Sequence, residues 1–170
     1  TVFDPFVAPE RWTTHTEIAA TAAALNAASE VGAAHGIAVG YHNHNQEFEA
    51  KIEGRFALEV FADLLDPAVQ LELDLYWATA GGADLVELLT TLGDRVTALH
   101  IKDGTLDPLP TLGPPPTDQV PAGEGTVALG AALDAAPTAK YAIVEFDAYR
   151  GDIWHGMKTG FEFLASRGLA

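Results

Sequence analysis

Two hydrophobic periodicities take turns along this chain, and that alternation restricts its fold more tightly than any count of residues. From Thr14 to His35 an alanine-rich stretch carries Ile18, Ala22, Leu25, Ala28 and Val31 at spacings of three and four, the pattern of one helix face. "GIAVGYHNH" then reads as a strand, and "GRFALEVFADLLDP" as a helix stopped by the Asp66-Pro67 pair. "VQLELDLYW" alternates strictly, "GGADLVELLTTLGD" is a helix with glycines at both ends, and "RVTALHIKDG" alternates again. The segment from Gly104 to Gly125 is rich in Pro and Gly and reads as a long ordered loop or lid rather than a linker. Residues 127 to 136 then form a short helix, "KYAIVEFD" a fourth strand, and "DIWHGMKTGFEFLASRG" a closing helix that ends near Gly168.

Strands that alternate with helices predict an α/β fold with a parallel sheet, either open and doubly wound or part of a (β/α)8 barrel. The strand faces choose between these. In "LELDLY" Leu71, Leu73 and Leu75 share one face, and Glu72, Asp74 and Tyr76 share the other. Leu99 and Ile101 oppose His100 and Lys102 in the next strand; Ala142, Val144 and Phe146 oppose Ile143 and Glu145 in the last. An open sheet covered by helices on both faces favours continuous apolar strands, whereas a barrel accepts polar residues inside near its C-terminal mouth. A barrel wall of about four strands with flanking helices is therefore expected.

At 170 residues and 48% hydrophobic, the chain is sized for a single domain spanning residues 1–170. Its 9 basic and 24 acidic residues give a net charge of -15, which repels phosphate backbones and anionic lipid, so neither nucleic acid nor membrane is an expected partner. There is no cysteine, so a metal site must be built from His, Asp and Glu. No membrane-length apolar run and no signal-peptide pattern at "TVFDPFVAPERW" are found, and a cytoplasmic location is the default.

Each strand carries a cation-binding side chain at or near its C-terminal end: His42 (or His44, which shares its face), Asp74, His100 and Glu145. In parallel α/β folds those ends form one face, so four groups distant in sequence converge there. Inward carboxylates are costly unless paired or coordinated, and imidazole with carboxylate suits a borderline divalent ion such as Mn²⁺, Zn²⁺, Co²⁺ or Fe²⁺.

"GIAVGYHNHNQEFE", "LELDLYWATAGGADLVELLTTLGDRVTALHIKDG", "VPAGEGTV" and "YAIVEFD" resemble the xylose isomerase-like TIM barrel group, the sugar phosphate isomerase/epimerase proteins, from about Trp12 to Gly168. The resemblance implies metal ligation by Asp74, His100 and Glu145. The family's fourth ligand is commonly a Glu at the end of the "GYHNH" strand, where this chain has His42, and its second histidine, three residues after the Asp, is Trp77 here. The resemblance also implies eight strands, of which this chain supplies the last four, so a C-terminal half-barrel with two open edges is expected, and pairing of two copies through them is a possible remedy.

The implied activity is a divalent-metal-dependent (Mn, Zn, Co or Mg) isomerisation or epimerisation of a sugar or polyol. It proceeds by proton abstraction next to a carbonyl through an enediolate. Elimination from a keto-sugar or keto-inositol is the rival on the same metal, and a non-catalytic sugar-binding barrel the third reading. An endonuclease-type phosphodiesterase is disfavoured by the charge. Glu145 is the candidate base, and Lys102 an acid or oxyanion stabiliser, or else a salt bridge to Asp103 or Glu145. His44, Trp77 and Asp147 are candidate substrate contacts, weighed against packing for Trp77 and turn capping for Asp147. Asn43 is expected to satisfy backbone groups, and Glu47 and Glu49 to lie solvated in the following loop. The Gly123–Gly125 turn is expected to offer backbone N–H groups to substrate, and His15, His35 and His155 are expected at the surface or helix ends.

Overall fold

The computed structural model describes residues 1–111 and 113–169; Leu112, within the expected loop, lies outside them. In chain order the elements are β1 (Val2–Asp4), α1 (His15–Ala33), β2 (Val39–His42), α2 (Gln46–Glu49), β3 (Lys51–Ile52), β4 (Arg55–Phe56), α3 (Ala57–Leu64) and β5 (Gln70–Asp74). There follow α4 (Leu75–Ala80), α5 (Leu85–Leu92), β6 (Val96–Ile101), β7 (Asp103–Gly104), β8 (Gln119–Val120), α6 (Leu129–Ala135), β9 (Tyr141–Val144) and α7 (Ile153–Ser166). Strands β1, β2, β5, β6 and β9 lie side by side in that order, every pair parallel. Spatial order thus equals chain order, the connectivity of a barrel wall, but the sheet stays open. β3–β4 and β7–β8 are short antiparallel ribbons outside it.

The wall has five strands, not four. β1 is only three residues long, too short for any periodicity to show, and it is fixed by pairing with β2 in the register Phe3↔Gly40. Gly40 permits that approach, because a Cβ there would lie 2.5 Å from the Phe3 ring and 2.6 Å from the Gln70 carbonyl. A second difference concerns "VQLELDLYW", which stops being a strand at Asp74. The Asp74 carboxylate accepts from Trp77 N at 2.9 Å and caps α4, so Leu75 and Tyr76 are helical despite their alternation.

The leucines of the alternating strands face the helices, as their period requires. Leu71, Leu73, Leu99 and Ile101 are buried with Ile18, Leu58 and Leu89, and Trp12, Tyr41 and Phe61 form an aromatic cluster with centroids 5.1 to 5.4 Å apart. The buried stripe of α1 runs Ile18, Ala22, Leu25, Ser29 and leaves Ala28 and Val31 exposed, because steps of four, three and four hold one face where continued steps of three drift off it. At the open edges Val2 is 58% and Tyr141 59% exposed. Two such arcs would bring ten strands together, where a closed barrel of this kind has eight. Among the described residues no helix is long and apolar enough to cross a membrane.

The Pro- and Gly-rich loop is ordered by two carboxylates. Asp103 accepts from the backbone N–H groups of Gly104, Gly123, Gly125 and Val127 at 2.9 to 3.1 Å. Asp118 accepts from the Tyr76 hydroxyl at 2.7 Å and Leu106 N at 2.8 Å. The glycine turn therefore gives two of its N–H groups to Asp103 and not to a substrate. A Cβ at Gly125 would stand 2.2 Å from that carboxylate, which is why glycine is needed there.

Candidate metal centre

The face opposite the leucines is polar, and its residues meet because neighbouring strands are in register: His42 pairs with Glu72, and Asp74 with His100. Lys102 follows at the end of β6, and Glu145 and Asp147 stand just beyond β9. Asp74 is fully buried, Lys102 1%, His42 6% and Glu72 8% exposed.

Ligand atoms of His42, Asp74 and His100 lie within 4.8 Å of one another, close enough to share a metal ion. His42 Nε2 is 3.9 Å and His100 Nδ1 3.7 Å from Asp74 Oδ2. Glu145 Oε2 lies 3.6 Å from His100 Nδ1. The structure brings His42 into this cluster and leaves His44 beside it, with ring centroids 5.2 Å apart. Of the expected ligands, Glu145 is adjacent but outside the three-residue group, its Oε2 being 2.5 Å from Lys102 Nζ.

Lys102 is encircled by carboxylates: Asp74 Oδ2 at 2.9 Å, Glu145 Oε2 at 2.5 Å and Asp147 Oδ2 at 2.8 Å. Only the Asp147 contact has hydrogen-bond alignment. Asp147 Oδ2 also accepts from Gln119 Nε2 at 2.8 Å, while Gln119 Oε1 accepts from Asp147 N and Ala148 N. The carboxylate thus bridges Lys102 to the long loop instead of capping a turn. The expected Lys102 pairing with Glu145 is present and that with Asp103 is not, since Asp103 serves the loop backbone.

Burial opposes the charge of Asp74, Glu72, Glu145, His100 and Lys102, and in each the partners outweigh it. Asp74 is held well below the usual carboxylate range, chiefly by Lys102 and then His100. Glu72 is brought down to about 2 by His100 and His42, and Glu145 is lowered by His100 and Lys102. His100 is pushed up to about 11 by Asp74, Glu145 and Glu72, and Lys102 is raised by Asp74, Asp147 and Glu145. His44 makes no carboxylate ion pair among the described residues; burial and His42 lower it against the more distant pull of Asp74 and Asp147.

The donor set fits a borderline divalent cation. Asp74 Oδ2, His100 Nδ1 and Glu145 Oε2 are buried polar atoms without an aligned hydrogen-bond partner, the two carboxylate oxygens being in ion-pair contact with Lys102, and oxygen and imidazole nitrogen together suit such an ion. His44 Nδ1 and Trp77 Nε1 share that condition next to the cluster. Trp77 is 4% exposed and packs between Tyr76 and His44, with its indole N–H unpartnered.

Two residues escaped the sequence reading. Glu72 was visible on the polar face but lies one step short of a strand end; its Oε2 is 3.2 Å from His42 Nδ1 and 3.3 Å from His100 Nε2. Glu47, expected in solvent, is fully buried. It lies in α2, where it accepts from the Tyr41 hydroxyl and from His44 N, and burial pushes its carboxyl up to about 7. Glu49 is exposed as expected, and so are His15, His35 and His155. Asn43 satisfies backbone as expected, exchanging hydrogen bonds with both Asp74 N and Asp74 O.

Comparison with known families gives a match over residues 4–167 to the model described as xylose isomerase-like TIM barrel. A comparison with curated proteins finds no match. Among solved structures, a sugar phosphate isomerase/epimerase from Parabacteroides distasonis is 28% identical with a TM-score of 0.73, the match covering 96% of this chain and 57% of that one. The probable 3-DHS dehydratase AsbF from Bacillus anthracis is 19% identical, TM-score 0.69, covering 90% and 58%. The IOLI protein, solved with a binding zinc atom, is 20% identical, TM-score 0.65, covering 98% and 59%. The last two likenesses concern the fold alone. The chain spans a little over half the length of these structures.

Proposed function

Because this chain belongs to the xylose isomerase-like TIM barrel family, we propose that its polar face binds a divalent cation and moves a proton at the carbon beside a sugar or polyol carbonyl, interconverting isomers. The observation that carries this is the convergence of ligand atoms from His42, Asp74 and His100 within 4.8 Å of one another on one buried face, with Glu145 Oε2 3.6 Å from His100 Nδ1. A divalent cation held there supplies Lewis acidity toward two neighbouring substrate oxygens.

The chain's own groups divide the remaining work. Glu145 is the base. Its side chain is 31% exposed where that of Asp74 is fully buried, so of these two carboxylates it is the one a substrate can reach, and His100 and Lys102 keep it ionised at neutral pH. Lys102 keeps its proton among three carboxylates and stabilises negative charge as it develops on the substrate oxygen. His44 Nδ1 and Trp77 Nε1 are assigned to substrate hydroxyls, since both are buried and want a partner. Asp147 orients Lys102 and lies close enough to meet a hydroxyl beyond Glu145.

His42 stands where the resemblance puts a second glutamate, Glu72 faces the two imidazoles, and Asp147 is held by Lys102 and Gln119, so Glu145 is assigned as the single base. One base favours a proton returned to the face it left, as in isomerisation. It also serves elimination, in which no proton is returned to that carbon, and this is the second reading. The test is metal content by plasma mass spectrometry, together with solvent deuterium uptake into keto-sugars and keto-polyols followed by NMR. Near-stoichiometric Mn, Zn or Co that falls in His100→Ala, with deuterium uptake abolished in Glu145→Gln, is the expected result. No metal retained after incubation with Mn²⁺ or Zn²⁺ would overturn the reading.

A further inference from the structure

The two imidazoles of the cluster are gripped from both sides. On one side His42 Nε2 and His100 Nδ1 face Asp74 Oδ2, at 3.9 and 3.7 Å. On the other His42 Nδ1 and His100 Nε2 face a single atom, Glu72 Oε2, at 3.2 and 3.3 Å. The rings themselves lie 4.5 Å apart, centroid to centroid. The rings therefore present opposite nitrogens to each carboxylate: Nε2 of one and Nδ1 of the other toward Asp74, and the reverse toward Glu72.

The register explains this. Glu72 is two residues before Asp74 on the same face of β5, one step deeper into the wall, and it is the strand partner of His42, while Asp74 is the partner of His100. Its side chain is 9% exposed, and its ion pairs among the described residues are with these two imidazoles. Among the described residues no Lys or Arg ion pair explains its burial. A carboxylate placed behind two ligand histidines fixes which ring nitrogen carries the proton and raises the basicity of the other.

Resting on the metal reading above, we infer that Glu72 is the positioning residue of the centre: it accepts the Nδ1 proton of His42 and the Nε2 proton of His100, so that Nε2 of His42 and Nδ1 of His100 are the nitrogens offered to the cation. Both contacts are close but neither is collinear with its ring N–H bond, so small ring adjustments accompany the two hydrogen bonds.

The test uses the Zn²⁺-loaded chain with ¹⁵N-labelled histidine, long-range ¹H–¹⁵N correlation to read the protonated nitrogens, and Zn²⁺ affinity by chelator competition. The parent is expected to show one ring protonated at Nδ1 and metallated at Nε2, and the other the reverse. Glu72→Ala should weaken Zn²⁺ by about 10- to 100-fold and lose that fixed pattern, and Glu72→Gln, whose amide oxygen can still accept, should lose less. Circular dichroism melting of both variants monitors the fold, and Glu72→Gln carries the test if Glu72→Ala does not fold. Unchanged affinity in the variants, or both rings metallated through the same nitrogen, overturns the inference. The reversed pattern, protons at His42 Nε2 and His100 Nδ1, also overturns it, by making Glu72 a ligand. A parent that takes up no Zn²⁺ or Co²⁺ fails earlier, and overturns the metal reading itself.

Discussion

Replacing Lys102 with methionine keeps the length and apolar stem of the side chain and removes only its charge. In the native protein that charge is 1% exposed and lies 2.9 Å from Asp74, 2.5 Å from Glu145 and 2.8 Å from Asp147. Asp74 is wholly buried and would keep only Trp77 N and the imidazoles as partners, and removing the main partner of such a group costs about 3–5 kcal/mol. Glu145 and Asp147 keep roughly a third of their solvent contact and add less. The sign with pH follows from the shifts. Asp74 and Glu145 are held below their ordinary values, so their contribution is present above about pH 4 and is lost as pH falls through the folded values. In the variant burial acts on them unopposed by the lysine, so the variant gains relative to the parent as pH falls. Urea unfolding at pH 7.5 and pH 4.5 should therefore show a gap of about 3–5 kcal/mol that narrows sharply at the lower pH. A gap below about 1 kcal/mol, or one equal at both values, would mean that the carboxylates do not depend on Lys102 and would refute the reasoning.

Glu47, with its carboxyl raised to about 7 by burial, binds a proton in the folded state that the unfolded chain has already released. Stability should then fall by roughly 3 kcal/mol between pH 4.5 and pH 8, a slope that Glu47→Gln removes; parallel pH profiles for the two proteins would contradict it. Asp103→Asn replaces a carboxylate that accepts four backbone N–H groups by an amide with one acceptor oxygen. The expected loss is about 3 kcal/mol, with new protease cleavage between residues 104 and 125; an uncut loop would argue against Asp103 as its anchor. Gly40→Ala drives a Cβ to 2.6 Å from the Gln70 carbonyl and 2.5 Å from the Phe3 ring, so β1 should lose hydrogen-exchange protection at a cost of about 2 kcal/mol, and full protection would show that the strands can part.

Four of the five sheet strands are legible as sequence because each is long enough for apolar and polar residues to alternate, and the alternation itself says which face meets the helices. β1 is not legible, since three residues carry no period and its place comes from pairing with β2. Tyr76 shows the limit of the pattern in the other direction: it alternates like a strand residue, yet the Asp74 cap turns it into a helix and points its hydroxyl at Asp118. His42, Asp74 and His100 could be named because they sit at the strand ends that a parallel fold gathers on one face. Glu47 could not be placed, because four polar residues in five, "NQEFE", read as solvated loop until Tyr41 and His44 close over the carboxylate.

The sequence by itself therefore determined the layering of this protein, the helical and inward faces of its strands and the types of donor available to a cation, since all of these follow from local period and chemistry. Only the tertiary structure decided which donors meet: that His42 rather than His44 enters the cluster, that Lys102 stands among three carboxylates, and that Glu72 reaches both imidazoles. The physical reason is register. A strand's own sequence sets which way its side chains point, but which residue of the next strand lies opposite is set by how the two strands slide against one another, and that is fixed by packing between segments far apart in the chain.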